Sequence, residues 1–344
     1  MSAAHLLAKD KSLNIAIVEP ADYHYYQAAW TLVGADTFDF EKSRKKMADV
    51  MPKDITYDFL IVSPGLVMDT SQIEGLTEAL GKGVVCSNYT NPEHTREVLK
   101  NFRGGNAVFA QPTTPIKCGG APQKIAYLAA DYFRKSGIQS KTKVVLAMPG
   151  TVVFGIQQVK DTLMEVINRY GIKFKPTYAP VKIDGDKKII TFKVNVTDDM
   201  APEFVRNSDL VNEAGWLDVD IHTLQHKKYA NIFGLGDVAG LPTAKTGAAI
   251  RKQVPVVIGN ILRLIKENKM AEKIYDGYSS CPLVTGYGKM VLAEFNYKNE
   301  FTPDPKLKQM LVFKSYKEHW RLWMLKKYIL PYLYWNKMLK GKEV

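Results

Sequence analysis

The sequence predicts an α/β fold in which strands and helices alternate around parallel sheets. Three observations carry this expectation. Short apolar runs ending in a turn or an acidic residue recur at residues 13–20, 56–65, 107–110, 144–147 and 229–237. Segments with apolar residues at helical spacing lie between or after them, at residues 93–102, 123–135, 157–170 and 243–266. A buried strand followed by a helical pattern of roughly 10–15 residues marks a βαβ unit, whose two strands run parallel. The run at 229–237 closes on Gly236 and Asp237. A glycine-flanked acid is thereby set at a strand's carboxyl end, ahead of a helix, where open α/β sheets bind phosphate-bearing ligands. A turn aspartate serving as a helix cap is the plainer reading of the same residue. With 344 residues and 46% apolar content, the chain is long enough for two domains or one large unit with a real core.

In chain order, residues 2–9 read as a short helix. Residues 13–20 read as a buried strand ending at Glu19, an acid at the position that accepts hydrogen bonds from a ribose in dinucleotide-binding folds; a surface glutamate fits equally. Residues 22–30, which include Gln27, form an aromatic loop that either packs in the core or walls a flat ring. Residues 38–50 are expected to be a charged helix. Residues 56–65 form a strand closed by a Pro-Gly turn at Gly65. Residues 104–150 form a further βαβ unit, and 174–192 short β structure around the Asp184–Gly185 turn. Cys281 sits beside Pro282 in an expected loop. No G-x-G-x-x-G occurs at either place where it would be looked for, which argues against an NAD(P) site. No internal repeat is present.

The formal net charge is +12. Anionic partners follow: membrane lipids, nucleic acid, or acidic cofactors and substrates. Residues 301–344 hold ten Lys/Arg against three Asp/Glu, so over half of the excess lies in the last eighth of the chain. From Phe313 onward eight aromatics, Trp320, Trp323 and Trp335 among them, interleave with lysines and Arg321. Such a segment suits a membrane interface, with aromatics at the acyl boundary and cations at the headgroups; a packed terminal helix is the alternative. No RNA- or DNA-binding motif supports nucleic acid. Three cysteines do not make a secreted disulfide framework. No run of 18 apolar residues predicts a spanning helix, no signal or transit peptide is visible, and no metal is expected.

The chemistry is placed at Cys118. It lies between an apolar strand (107–110) and a helix starting near Pro122, a residue suited to a first helical turn. A thiol beside a helix N-terminus has a lowered pKa and an enriched thiolate, and Lys117 adds a cation. A small structural cysteine in a Gly-Pro turn is the competing reading. Cys86 is read as structural.

Taken together, several stretches resemble the sulfide:quinone oxidoreductases of the eukaryotic mitochondrial type, members of the two-dinucleotide-domain flavoproteins. They are IAIVEP (15–20), YYQ (25–27) with WTLVG (30–34), PIKCGGAPQK (115–124), NIFGLGD (231–237), LPTAKT (241–246), YDGYSSCPLVTGY (275–287) and LPYLYWN (330–336). The resemblance covers nearly the whole chain. It implies two Rossmann-like domains of the FAD/NAD(P)-binding type. Residues 1–103 and 206–266 would form the FAD-binding domain, 104–205 the second domain, and 267–344 an amphipathic membrane and quinone region. Against the family pattern, the segment carrying the first strand and glycine loop is missing here, so the first domain is expected to be incomplete. Shorter gaps fall after Ile55 and near residues 192–196.

The resemblance further implies that Cys118 and Cys281 form a redox disulfide beside FAD, with sulfide leaving a persulfide on Cys281. The outer sulfur then goes to sulfite, glutathione or cyanide, and the electrons to ubiquinone at the mitochondrial inner membrane, where the protein is peripheral. Its cofactor-binding residues would be Glu19 at the ribose, Gln27, Gly65, Gly236, Asp237 near the ribityl-pyrophosphate region, and Lys245 at the flavin's pyrimidine edge. Two other readings stay open: a catalytically silent, membrane-associated relative without cofactor, and a flavoprotein that uses NADH.

Overall fold

The computed structural model describes residues 1–10, 12, 13, 15, 17, 19, 21–49, 58–66, 68–113, 118–194 and 208–342. Its most regular part is a three-stranded parallel sheet, β4 (Gly105–Ala110), β5 (Thr142–Met148) and β6 (Lys173–Pro176), in the order β4-β5-β6. The connections are helices α5 (Ala121–Lys135) and α6 (Gln157–Tyr170). The expected βαβ unit is therefore present. Pro122 lies in the first turn of α5, where a missing N–H costs nothing. α6 stops at Gly171, whose φ of +65° a side chain would resist. Inward residues Val144, Leu146 and Met148 of β5 meet Ile125, Leu128 and Phe133 of α5.

A second parallel pair joins β3 (Leu60–Val62) to β9 (Ile232–Gly234). After β9 the chain passes through a short 3-10 turn, Gly236–Val238, into the 21-residue helix α7 (Gly247–Glu267). α7 starts four residues later than its pattern predicts, since Thr246 caps it by accepting from the Ala249 N–H at 3.1 Å. α1 (Ser2–Leu7) packs on α7, and Lys9 reaches Gly341 O at 2.8 Å, so the first helix and the last turn meet.

The largest apolar core is continuous from α5 through the antiparallel hairpin β10 (Ser279–Gly286) and β11 (Lys289–Phe295) to Leu322 and Trp323 in α8 (Trp320–Met324). The carboxyl-terminal segment runs on through a π turn (Leu325–Ile329) into α9 (Leu330–Asn336).

Two expectations are corrected. Residues 38–50 are not one helix: Arg44–Lys46 is strand β2, paired antiparallel with β1 (Tyr23–Tyr25). The aromatic loop overrides the helical preference of the charged residues: Arg44 stacks over Tyr23 at 4.6 Å, and Trp30 Nε1 donates to Ser43 Oγ at 3.2 Å. Cys281 lies within β10, opposite Ala293, not in a loop. Its run of buried neighbours marks a strand covered on both faces, a pattern that the adjacent proline disguises. The expected strand at 13–20 falls partly outside the described residues; Leu13, Ile15, Ile17 and Glu19 join no strand. Lys117 and the gap after Ile55 also lie outside them.

Candidate active site

Cys118 and Cys281 have 162 residues between them in sequence, and the fold makes them neighbours. Cys118 lies in the loop before α5, with a φ of +56°, a left-handed conformation uncommon for a residue with a side chain. Three hydrogen bonds fix its backbone. Its N–H donates to Lys245 O at 2.9 Å, and its carbonyl accepts from Ala121 N at 2.8 Å and from Tyr89 OH at 3.3 Å. Cys281 arrives on β10. The close approach depends on Gly120, where an added Cβ would lie 2.6 Å from Leu283 Cδ2 on that strand. All three cysteines are free thiols.

The two thiols act on each other and titrate as unequal partners. The neighbouring Cys281 thiol is the main reason the Cys118 pKa falls well below the ordinary thiol value; burial works against it, and the Lys124 ammonium adds to the lowering. Cys281 moves the other way, raised by the Cys118 thiol and by burial. A first negative charge on the pair is thus favoured at Cys118, the sulfur that Lys124 Nζ reaches.

Two buried lysines answer that charge. Lys124, 2% exposed, points its Nζ at Cys118 Sγ at 2.9 Å. Burial alone would lower its pKa, but the charges of Cys118 and Cys281 hold it above the ordinary lysine value. Lys326, 3% exposed, comes from the π turn of the carboxyl-terminal segment and donates to Ala28 O at 3.0 Å. Burial, and then Lys124, push its pKa down to about 7, while the two thiols pull it up.

The other expected site residues fall into three groups. Gly236, Asp237 and Lys245 lie together against the Cys118 loop. Lys245 Nζ donates to Asp237 O at 2.5 Å and Ala239 O at 3.3 Å, under the Trp216 ring at 3.8 Å, and burial lowers its pKa to about 8. Gln253 Oε1 accepts from Gly236 N at 2.8 Å. Gly65 follows β3, the partner of β9, with φ +77° and open space where a Cβ would be. Gln27 is exposed beside Ala28, the residue that holds Lys326. Glu19 stays apart: it is exposed and accepts from Ala21 N at 2.9 Å. Cys86 is partly buried, and its raised pKa comes first from burial.

The sequence alone gives Lys124 no role and does not point to Tyr89 or Lys326. Lys124 has a usable signal, a lysine on the first turns of the helix that follows the cysteine. Nothing in the sequence ties Lys326 to Cys118. Among the described residues, no group of three or more His, Cys, Asp or Glu is arranged to hold a metal.

No family model matches the chain. The mitochondrial sulfide:quinone oxidoreductase of Mus musculus is 36% identical over 371 residues, covering 95% of this chain and 81% of that protein. The chain belongs to the sulfide:quinone oxidoreductase family. Among solved structures, the sulfide:quinone oxidoreductase of Aquifex aeolicus superimposes with a TM-score of 0.74 at 18% identity, over 99% of this chain and 89% of that one. A chain of the Tetrahymena thermophila mitochondrial ATP synthase tetramer superimposes at 0.78 with 20% identity, over 99% and 93%. At such identities these two likenesses speak for the fold, that of the flavin and NAD(P) oxidoreductases.

Membership in the sulfide:quinone oxidoreductases implies a flavin cofactor, and the residues present fit its ring end. Gly65 and Gly236 stand at the carboxyl ends of two paired parallel strands, where a dinucleotide lies in such folds. Gly65, Gly119 and Gly247 all border open space. The small cavity lined by Gly236, Lys245 and Gln253 holds only about 10 Å³, room for one water and too little for a flavin ring.

Proposed function

We propose that this chain oxidises sulfide at the Cys118–Cys281 pair and passes the electrons through FAD to ubiquinone. The observation that carries the reading is the Lys124 ammonium 2.9 Å from the sulfur of Cys118, in a buried site where Cys118 and Cys281, from distant elements, shift each other's titration. In the oxidised pair, hydrosulfide attacks the sulfur of Cys281. The S–S bond breaks, its electron pair leaves with Cys118 as a thiolate, and Cys281 carries the persulfide. Cys118 is the better leaving group because the Lys124 and Lys326 ammonium groups stabilise its charge. A small acceptor (sulfite, glutathione or cyanide) then takes the outer sulfur, and Cys281 is released as a thiol. FAD, when bound, supplies the two-electron acceptor that reoxidises the dithiol and passes electrons on. Lys245 would meet the ring at its pyrimidine edge and Asp237, with Gly236 before it, the ribityl-pyrophosphate region, with Gly65 and Gln27 as further contacts and Glu19 at the ribose. An ammonium at Lys245 favours negative charge on the reduced ring.

The membrane side is the carboxyl-terminal segment. Leu311, Phe313, Trp320 and Tyr332 are 58–70% exposed there, among Arg321 and several lysines. Among the described residues no helix is long and apolar enough to cross a membrane. A peripheral seat on the mitochondrial inner membrane accords with both features. On this reading residues 1–103 and 206–266 form the FAD domain, 104–205 the second domain and 267–344 the membrane and quinone region.

The test is anaerobic reduction of a soluble ubiquinone by sulfide with the purified, FAD-supplemented chain. Cys118→Ser and Cys281→Ser should each abolish it. Failure of the chain to take up flavin, with the thiol pair intact, would overturn the reading in favour of a catalytically silent relative.

A further inference from the structure

We propose that the carboxyl-terminal segment is a working part of the thiol site, and that His24 and Tyr334 are positioning residues that seat Lys326 beside Cys118 by latching this segment onto the aromatic loop. The inference rests on reading Cys118 as the reacting thiol and adds a means of control.

Lys326 is an unfavourable group to bury. Its amine is withdrawn from water and placed near a second ammonium, Lys124. A flexible lysine free to choose would return its head to solvent. Its one backbone partner is Ala28 O, at 3.0 Å. Another hold on this helix lies eight residues further on. Tyr334 OH and His24 Nε2 are 2.5 Å apart, and the Tyr334 ring stacks on Tyr26 with centroids at 4.4 Å. His24 also stacks on Tyr334 at 5.9 Å and meets the Trp335 ring edge-on at 5.9 Å, while Lys45 covers Trp335 at 5.0 Å. Residues i and i+8 lie close to one helical face, so Lys326 and Tyr334 face the same loop. The π turn at Leu325–Ile329 sets that register; such turns recur at functional sites.

The other side of the same helix is turned outward. Trp320, Tyr328, Ile329 and Tyr332 are 42–60% exposed. One short segment therefore presents an apolar face to the surroundings and a lysine to the thiols, and displacing it would move both. The charged and titratable groups that act on the Cys118 thiol are Cys281 from β10, Lys124 from α5 and, more weakly, Lys326 from the π turn; Tyr89 meets its carbonyl and is acted on by Asp237. Those acting on His24 are the Met1 ammonium and Glu19, and Lys45 stands beyond Trp335.

The readout is the pH dependence of Cys118 alkylation by iodoacetamide in the full chain, followed on the Cys118 peptide by mass spectrometry from about pH 4 to 9. A wild-type midpoint in the ordinary thiol range would sink the reading of Cys118 itself, before any variant is compared. With that midpoint low, Lys326→Met should raise it by about 1 on the pH scale. Tyr334→Ala should raise it in the same direction, Tyr334→Phe by less because the ring stack survives, and the Tyr334→Ala, Lys326→Met double variant no further than Lys326→Met alone. The latch is overturned if Tyr334→Ala lowers the melting temperature yet leaves the midpoint in place, or if the two effects add. Should Tyr334→Ala fail to fold, Tyr334→Phe and His24→Ala, each paired with Lys326→Met, decide the same question.

Discussion

The Lys124 ammonium lies 2.9 Å from the sulfur of Cys118, and a single strand-to-helix junction supplies both residues. The loop offers the sulfur, and the opening turns of α5 aim the cation back at it. Burial makes the pairing matter, because a thiolate and an ammonium held out of water attract far more strongly than at a surface.

Removing that cation has a direct consequence. Lys124→Met should raise the pH midpoint of Cys118 alkylation and slow the reaction at neutral pH, about fivefold if the midpoint rises from neutrality by 1. Cys86, whose pKa burial raises, should react slowly in both proteins and serves as the internal reference. Equal Cys118 rates in the two proteins would remove Lys124 from the chemistry.

Gly120 sets how near the two thiols can come. A Cβ there meets Leu283 at 2.6 Å and Lys124 Cε at 3.4 Å, so Gly120→Ala must push β10 from α5 or displace the lysine. The expected cost is about 1–3 kcal/mol in urea unfolding, together with slower disulfide closure by diamide. Gly119→Ala meets nothing within 4 Å and should close its disulfide at the wild-type rate. A Gly120→Ala protein that closes as fast as wild type would show that the contact relaxes freely.

Much of this architecture is legible in the sequence, for reasons that differ by element. The unit from β4 to α6 matches its expectation because its apolar periods are strong and its turns carry Gly and Pro. Residues 38–50 mislead because their charge pattern suits a helix, while strand β2 is decided by Tyr23 and Trp30, 21 and 13 residues upstream of their partners Arg44 and Ser43. Cys281 looks like a loop residue because Pro282 masks a strand that the β11 partner makes possible. The thiol pair itself comes from family likeness, since spacing carries no trace of a contact across 162 residues. Lys326 leaves no signal at all: as one lysine in a basic, aromatic tail it reads as a headgroup contact, and only packing turns it inward.

Asp131 ties the far end of α5 to the hairpin. It is 2% exposed, accepts from Tyr287 N at 2.8 Å, and pairs with Arg134 at 2.8 Å and Lys135 at 3.0 Å. Burial would raise its pKa, but Arg134, the Tyr287 N–H and Lys135 hold it below the ordinary carboxylate value. A depressed folded pKa adds stability that is present above the unfolded value near 4 and lost as pH falls through the folded one. Asp131→Asn should therefore cost about 1–3 kcal/mol at pH 7 and flatten the loss of stability in acid. Parallel acid limbs for the two proteins would show that the carboxylate's charge contributes nothing.

Lys326 predicts the opposite trade, a residue that lowers stability to serve the site. Its amine is held at about 7, against an ordinary value of 10.5. Between those values the unfolded chain binds more protons than the folded one, so stability rises with pH across the window and falls as the amine is charged toward pH 7. Lys326→Met should remove that slope and raise the melting temperature at pH 7 by about 2 °C or more, while raising the Cys118 midpoint and slowing sulfide oxidation. Lys245, held at about 8, adds slope of the same sign over a narrower window and remains in the variant, so the difference between the two stability curves isolates Lys326. A variant less stable than wild type at pH 7 and indistinguishable near pH 10 would mean that Lys326 is seated as a favourable charge, its hold on Ala28 O and the thiols outweighing the cost of its burial.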